Sequence, residues 1–319
     1  MIIRDFGGPE RLEIADVPPP VPGPGQVLVR VRATSVNPVD TKIRRAGAWA
    51  RVPMPAILGY DAAGIVEALG PGVTSLQVGD AVFYTPHIFG RQGTYAELHV
   101  VEADIVAKKP AHLSFEEAAA IPLAAITAWD SIVNFFATRP GDTVLVHAGA
   151  GGVGCFAVQL AKAAGARVLA TGRSENEAFI KALGADEVID YRNVRFEDEV
   201  NRLTDGVGAD AAYDTVGGET IARSIACVRP YGKLATIVSI DGNLGGMQSR
   251  NLTLYFGFME RTAPKIQALA RLLERRQLRP VVDSIYPLEH VADAHRKIEG
   301  GGMRGKIVLT VGGGGGGGG

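Results

Sequence analysis

The chain has 319 residues, of which 46% are hydrophobic and 21% charged, and its formal net charge is -1. That length is about two ordinary domains, and the balance excludes a disordered or fibrous chain and gives no specific attraction for nucleic acid. The longest apolar run, residues 118–129, is interrupted by Pro122 and Thr127 and falls short of the roughly 20 residues a bilayer crossing needs, so no membrane span is expected.

Residues 1–121 are rich in Gly and Pro and carry short alternating runs. Val27, Val29 and Val31 share one face of a strand, and further strands fit residues 62–69, 81–84 and 94–101, separated by turn signals at Gly70-Pro71-Gly72 and Gly79-Asp80. This pattern predicts a mainly antiparallel β-barrel. Ser114 and Glu117 form a capping box, so a helix should start there. Between residues 143 and 240, apolar strand runs at 143–148, 167–171, 187–190, 209–214 and 232–238 alternate with helix-period segments, which predicts an α/β, doubly wound parallel (Rossmann) sheet. The later elements, an apolar run at 252–258, a helix at 264–276, and strands at 282–286 and 306–310, are too few for a third domain. They are expected to return to the first, making it discontinuous: residues 1–121 and 252–311, with the nucleotide domain at 122–251. The glycine run 312–319 has no core-forming side chain and is set outside the fold.

The strand at 143–148 runs into Gly149-Ala150-Gly151-Gly152-Val153-Gly154 and then into a helical segment. Flanked in this way, the glycine motif is a specific dinucleotide signal, because the diphosphate must approach the backbone closely and its charge is held by amides at a helix N-terminus. At the end of the second strand, where an NAD enzyme places an acid on the adenosine ribose, the chain has Gly172-Arg173-Ser174. A forked cation and a hydroxyl suit a 2′-phosphate, which predicts NADPH; the alternative is a solvated Arg173 with Glu175 on the ribose. Tyr191 supports the same phosphate or packs on adenine.

Cys155 and Cys227 are the only cysteines, and both read as reduced core residues; with no secretory signal in the sequence, the cytoplasm is the expected compartment. No cysteine lies in the first domain and the six histidines form no pair at metal-ligand spacing with a cysteine or carboxylate, so no zinc is expected. No tyrosine has a lysine four residues later and no G-x-S-x-G elbow occurs, which leaves hydride transfer without a metal or a covalent nucleophile.

Several ordered segments carry a family resemblance: Asn37-Pro38-Val39-Asp40-Thr41-Lys42-Ile43-Arg44, Ile57-Leu58-Gly59-Tyr60-Asp61-Ala62-Ala63-Gly64, Gly93-Thr94-Tyr95-Ala96-Glu97, Thr127-Ala128-Trp129, Asp214-Thr215-Val216-Gly217-Gly218 and Gly305-Lys306-Ile307-Val308-Leu309. Nearly end to end, the chain resembles the zinc-free quinone oxidoreductase branch of the medium-chain dehydrogenase/reductase superfamily. The resemblance implies a GroES-like first domain and a cofactor in the cleft between domains, contacted by Thr127, the glycine loop, Arg173, Tyr191, Val216 and Ser239. It also implies that Phe256, Gly257 and Phe258 line the nicotinamide, that Lys306 reaches the cofactor, and that the protein is a homodimer joined at the edges of its nucleotide sheets, with residues 252–258 supplying the edge. Lys42 stands where many quinone oxidoreductases have a tyrosine, and the Asn-Pro-Val-Asp-x-Lys form looks more like the alkenal and enone reductases of the same branch.

The expected chemistry is hydride delivery from NADPH to a quinone, enone or alkenal, with Lys42, Asn37 and Tyr60 as candidates to meet the carbonyl oxygen and Tyr60 or water as proton source. Against these roles stand a helix cap for Asn37 and a local ion pair of Asp40 with Lys42. Two other functions compete: a nucleotide-binding structural or sensory protein with little turnover, and a metal-free carbonyl-to-alcohol reductase.

Overall fold

Val27, Val29 and Val31 are all buried, and in the computed structural model their alternation builds the eleven-residue strand β1 (Gln26–Val36). The structure describes residues 1–312, and the rest of the expected glycine tail lies outside them. β1 is the centre of a seven-stranded sheet with β2 (Ala62–Leu69), β3 (Ala81–Tyr84), β4 (Leu98–Glu102), β5 (Val106–Lys108), β12 (Val282–Pro287) and β13 (Lys306–Thr310), in the order β12-β13-β1-β2-β3-β5 with β4 also paired to β1. All its pairings are antiparallel except β12 with β13. The register Val36↔Ile307 sets the N-terminus of the helix Pro38–Ala46 beside the start of β13.

The other sheet has six parallel strands: β6 (Thr143–Val146), β7 (Arg167–Gly172), β8 (Glu187–Asp190), β9 (Ala209–Asp214), β10 (Val228–Thr236) and β11 (Thr253–Phe256), in the order β11-β10-β9-β6-β7-β8. Its central strands are buried on both faces, as a doubly wound sheet requires, and read as apolar runs such as Val144-Leu145-Val146.

The chain divides into two compact units, one formed by Met1–Leu123 with the chain from Arg261 onward, the other by Ala124–Glu260. Residues 252–258, expected in the barrel domain, belong to the second unit. β11 pairs in parallel with β10 in the register Leu234↔Leu254, and Leu252 and Leu254 pack on the core that contains Leu145, Leu169 and Leu234. Short apolar stretches go where an unpaired strand edge and a matching core face exist, and the nucleotide sheet supplies both. The capping box forms as expected: Ser114 Oγ accepts from the Glu117 amide at 3.1 Å, and Glu117 accepts from the Ser114 amide at 2.9 Å.

Candidate active site

In the nucleotide unit the chain leaves β6 through Ala148, which takes a left-handed φ of 54°. A Cβ on Gly154 would overlap the Ala148 carbonyl, so only glycine lets the helix Gly154–Ala163 start this close to the turn. Within the loop the Gly149 amide donates to Thr171 O and the Gly151 amide to Ala148 O. The amides of Ala150, Gly152 and Val153 donate to no group among the described residues. Such idle donors at a helix N-terminus are the chemistry that a diphosphate needs, so the loop fits the dinucleotide. His147 locks the loop to its sheet. Its Nε2 faces Ser224 Oγ at 2.9 Å and its Nδ1 faces Thr171 Oγ1 at 3.3 Å, while burial pushes its pKa down to about 4, so the imidazole is neutral.

At the end of β7, Arg173 lies 3.7 Å from Glu175, and Tyr191 together with Glu175 raises its pKa. The nearest acid at the end of β8, Asp190, is spent on the backbone: it accepts from the amides of Ser174 and Arg192, and these bonds pull its pKa down. Thr127 is buried, with its hydroxyl on Met259 Sδ at 3.3 Å. Gly172 is also buried, and Val216, Ser239, Phe256 and Phe258 are exposed, with Gly257 half-buried.

The barrel unit holds a second polar constellation, buried around the start of the helix Pro38–Ala46. Asp61 Oδ2 accepts from Ser35 Oγ at 2.6 Å and Asn37 Nδ2 at 2.8 Å, and lies 3.5 Å from Lys306 Nζ. Asp61 Oδ1 accepts from the Leu123 amide at 2.7 Å. Lys306 also donates to Asn37 Oδ1 and to Val36 O. Burial pushes the Asp61 pKa up, and Lys306 together with the Asn37 and Ser35 donors holds it back.

A chain of donors with fixed direction meets this cluster. Arg44, fully buried, has only N–H groups to offer, so its Nη1 must donate to His295 Nδ1 at 3.0 Å. His295 is therefore the neutral Nε2–H tautomer, and burial beside Arg44 drops its pKa to about 3. Nε2 donates to Tyr95 Oη at 3.1 Å, and Tyr95 donates to Asp40 Oδ2 at 3.2 Å. The Asn37 amide adds a second bond to the same oxygen at 2.6 Å. Asp40 Oδ1 has no partner, and burial raises the Asp40 pKa to about 7. Beside this cluster Tyr60, fully buried, also lacks a partner for its hydroxyl. Burial first, and then Asp40, raise the Tyr60 pKa, so the phenol stays protonated as a donor.

The three residues expected to meet a carbonyl oxygen thus have different fates. Tyr60 is buried with an idle donor. Asn37 has its amide spent on Asp61 and Lys306. Lys42 is exposed and outside the cluster, because the buried face of the helix is formed by Asp40, Thr41, Ile43 and Arg44. Lys306, expected to reach the cofactor, is a buried member of the Asn37–Asp61 cluster. Spacing gave no sign of Arg44 and His295, whose partnership spans 251 residues. Asp61 had a signal, a charged residue directly before the apolar start of β2.

This combination of a glycine loop on a parallel sheet with a GroES-type unit defines a nucleotide-dependent dehydrogenase class. Residues 23–111 match the alcohol dehydrogenase GroES-like domain and residues 183–309 match the zinc-binding dehydrogenase domain. The quinone oxidoreductase of Pseudomonas aeruginosa is 37% identical over 318 residues, covering 95% of this chain and 97% of the relative. The solved structure of an NAD-dependent alcohol dehydrogenase superposes with a TM-score of 0.92 at 38% identity, covering 98% and 99% of the two chains. That of a mycobacterial protein complexed with NADPH gives 0.87 at 32% identity, covering 97% and 98%. The chain belongs to the quinone oxidoreductase branch of the medium-chain dehydrogenase/reductase superfamily and is an oxidoreductase. Among the described residues no group of three or more His, Cys, Asp or Glu side chains is arranged to hold a metal ion, and no helix is long and apolar enough to cross a membrane.

Proposed function

We propose that the protein reduces conjugated carbonyl compounds, that is enones, alkenals or quinones, with NADPH and without zinc. The observation that carries this reading is the buried, unpartnered hydroxyl of Tyr60, kept protonated beside Asp40. The bound reduced cofactor supplies a hydride to the carbon conjugated with the carbonyl. As negative charge builds on the carbonyl oxygen, the Tyr60 hydroxyl donates to it, which helps most where the charge is largest, in the transition state. One proton from water or Tyr60 then completes addition of H2 to the substrate. Asn37, Asp61 and Lys306 brace the strand ends around Tyr60 and do not themselves meet the oxygen.

The glycine loop's idle amides take the diphosphate, with Thr127, Val216, Ser239, Phe256, Gly257 and Phe258 along the rest of the dinucleotide. Arg173, Ser174 and Tyr191, with Asp190 already occupied, favour a 2′-phosphate over a bare ribose. The NADPH complex of a relative supports that choice, and the NAD-dependent relative makes it a point to measure. A zinc site in the barrel unit is disfavoured by its donor set: an amide, a phenol and a carboxylate already held by donors are poor zinc ligands. β11 has an unpaired outer edge in the sheet order, which suits a homodimer, and a cytoplasmic location fits the same reading.

The test is NADPH and NADH consumption across 1,4-quinones, enones and alkenals with the products identified. Saturated ketones, saturated aldehydes or hydroquinones are expected. Tight NADPH binding without consumption would favour a binding protein, and an allylic alcohol would favour a carbonyl-to-alcohol reductase.

A further inference from the structure

Arg261 begins the second segment of the barrel unit, and its Nε and Nη2 are buried without any acceptor. Asp61 is the first acid to act on it, yet both Asp61 oxygens are already taken by Leu123, Ser35, Asn37 and Lys306. Burial prevails, and the guanidinium pKa falls to about 10. Guanidinium N–H groups buried without an acceptor are costly for a fold to hold, unless a ligand brings one. The idle pair is also specific. Nε and Nη2 form an edge of the guanidinium whose two parallel N–H bonds match the two oxygens of a carboxylate. Tyr60, whose hydroxyl is idle too, lies near enough that each alters the other's protonation.

We propose that Arg261 is a carboxylate subsite, so that the substrates are conjugated carbonyl compounds that carry a carboxylate. The carboxylate takes the Nε/Nη2 edge while the carbonyl oxygen takes the Tyr60 hydroxyl. This deepens the activity proposed above and rests on it. A phosphate of the dinucleotide has similar chemistry, but the nucleotide unit already offers the idle amides of Ala150, Gly152 and Val153 for that group.

The experiment compares kcat/KM for trans-4-oxo-2-pentenoate and for uncharged 3-penten-2-one, with NADPH, in the wild type and in Arg261→Gln and Arg261→Lys. The wild type should prefer the carboxylate, and the ratio of the two values should fall about 30-fold in Arg261→Gln and recover in part in Arg261→Lys. An unchanged ratio overturns the proposal. So does an NADPH Kd, read by cofactor fluorescence, that weakens tenfold while the ratio holds, because Arg261 would then serve the phosphate. If the wild type consumes NADPH with neither compound, the activity reading fails by itself. The subsite is then judged by calorimetry on the wild type, which also serves if the variants fail to fold: 4-oxopentanoate should bind at least about tenfold more tightly than 2-pentanone, and equal affinity overturns the proposal.

Discussion

Asp40→Asn tests the buried donor chain through stability alone. Asp40 is fully buried and its Oδ1 has no partner, and this burial outweighs the Asn37 and Tyr95 donors on its Oδ2, so the fold favours the protonated acid. Its pKa rises from 3.8 to about 7, roughly 3 pH units, which at about 1.4 kcal/mol per unit is on the order of 4 kcal/mol. The sign follows from proton binding. A pKa raised in the folded state gives stability that is fully present below the unfolded value and is lost as pH climbs through the folded one. The loss therefore runs from about pH 4 to pH 7, with a slope near 1.4 kcal/mol per unit. Asparagine has the shape of the neutral acid and cannot ionise, so its cost or gain is constant with pH. Between pH 5 and pH 8 the wild type should lose about 2.5 kcal/mol more than Asp40→Asn in urea titrations followed by circular dichroism. Parallel stability curves for the two proteins would show that Asp40 stays ionised in the fold and that burial does not outweigh the donors on its Oδ2.

Lys42→Met should keep kcat/KM on enones within about threefold, since the side chain is exposed and outside the polar cluster; a hundredfold loss in steady-state assays would return it to the catalytic group. Arg173→Gln should weaken NADPH about 10- to 100-fold and NADH much less, by fluorescence titration, and equal losses for both would remove the 2′-phosphate role. Gly154→Ala forces a methyl against the Ala148 carbonyl and should cost about 1–3 kcal/mol in thermal unfolding together with loss of NADPH binding; unchanged affinity would mean that the loop does not hold the diphosphate.

Local patterns in the sequence reached as far as local physics does. Alternation at Val27, Val29 and Val31, the Ser114–Glu117 box and the strand-loop-helix run through Gly149–Gly154 each act between residues near in the chain, so they were legible without coordinates. The unit boundary was not, because the short run at 252–258 has no periodicity to say which sheet edge it joins, and the choice depends on Leu234 and Leu145 standing ready in a core built elsewhere. The candidate site divides along the same line. Sequence determined the dinucleotide loop, Arg173 in place of a ribose-binding acid, and the presence of Asn37, Asp61 and Lys306 in order. Only the tertiary structure decided that Lys42 faces outward, that Lys306 is tied to Asp61, and that Arg44 reaches His295 and so fixes the proton on each group down to Asp40. It alone leaves Tyr60 and Arg261 with idle donors, since whether a polar atom is satisfied depends on burial and on partners far along the chain.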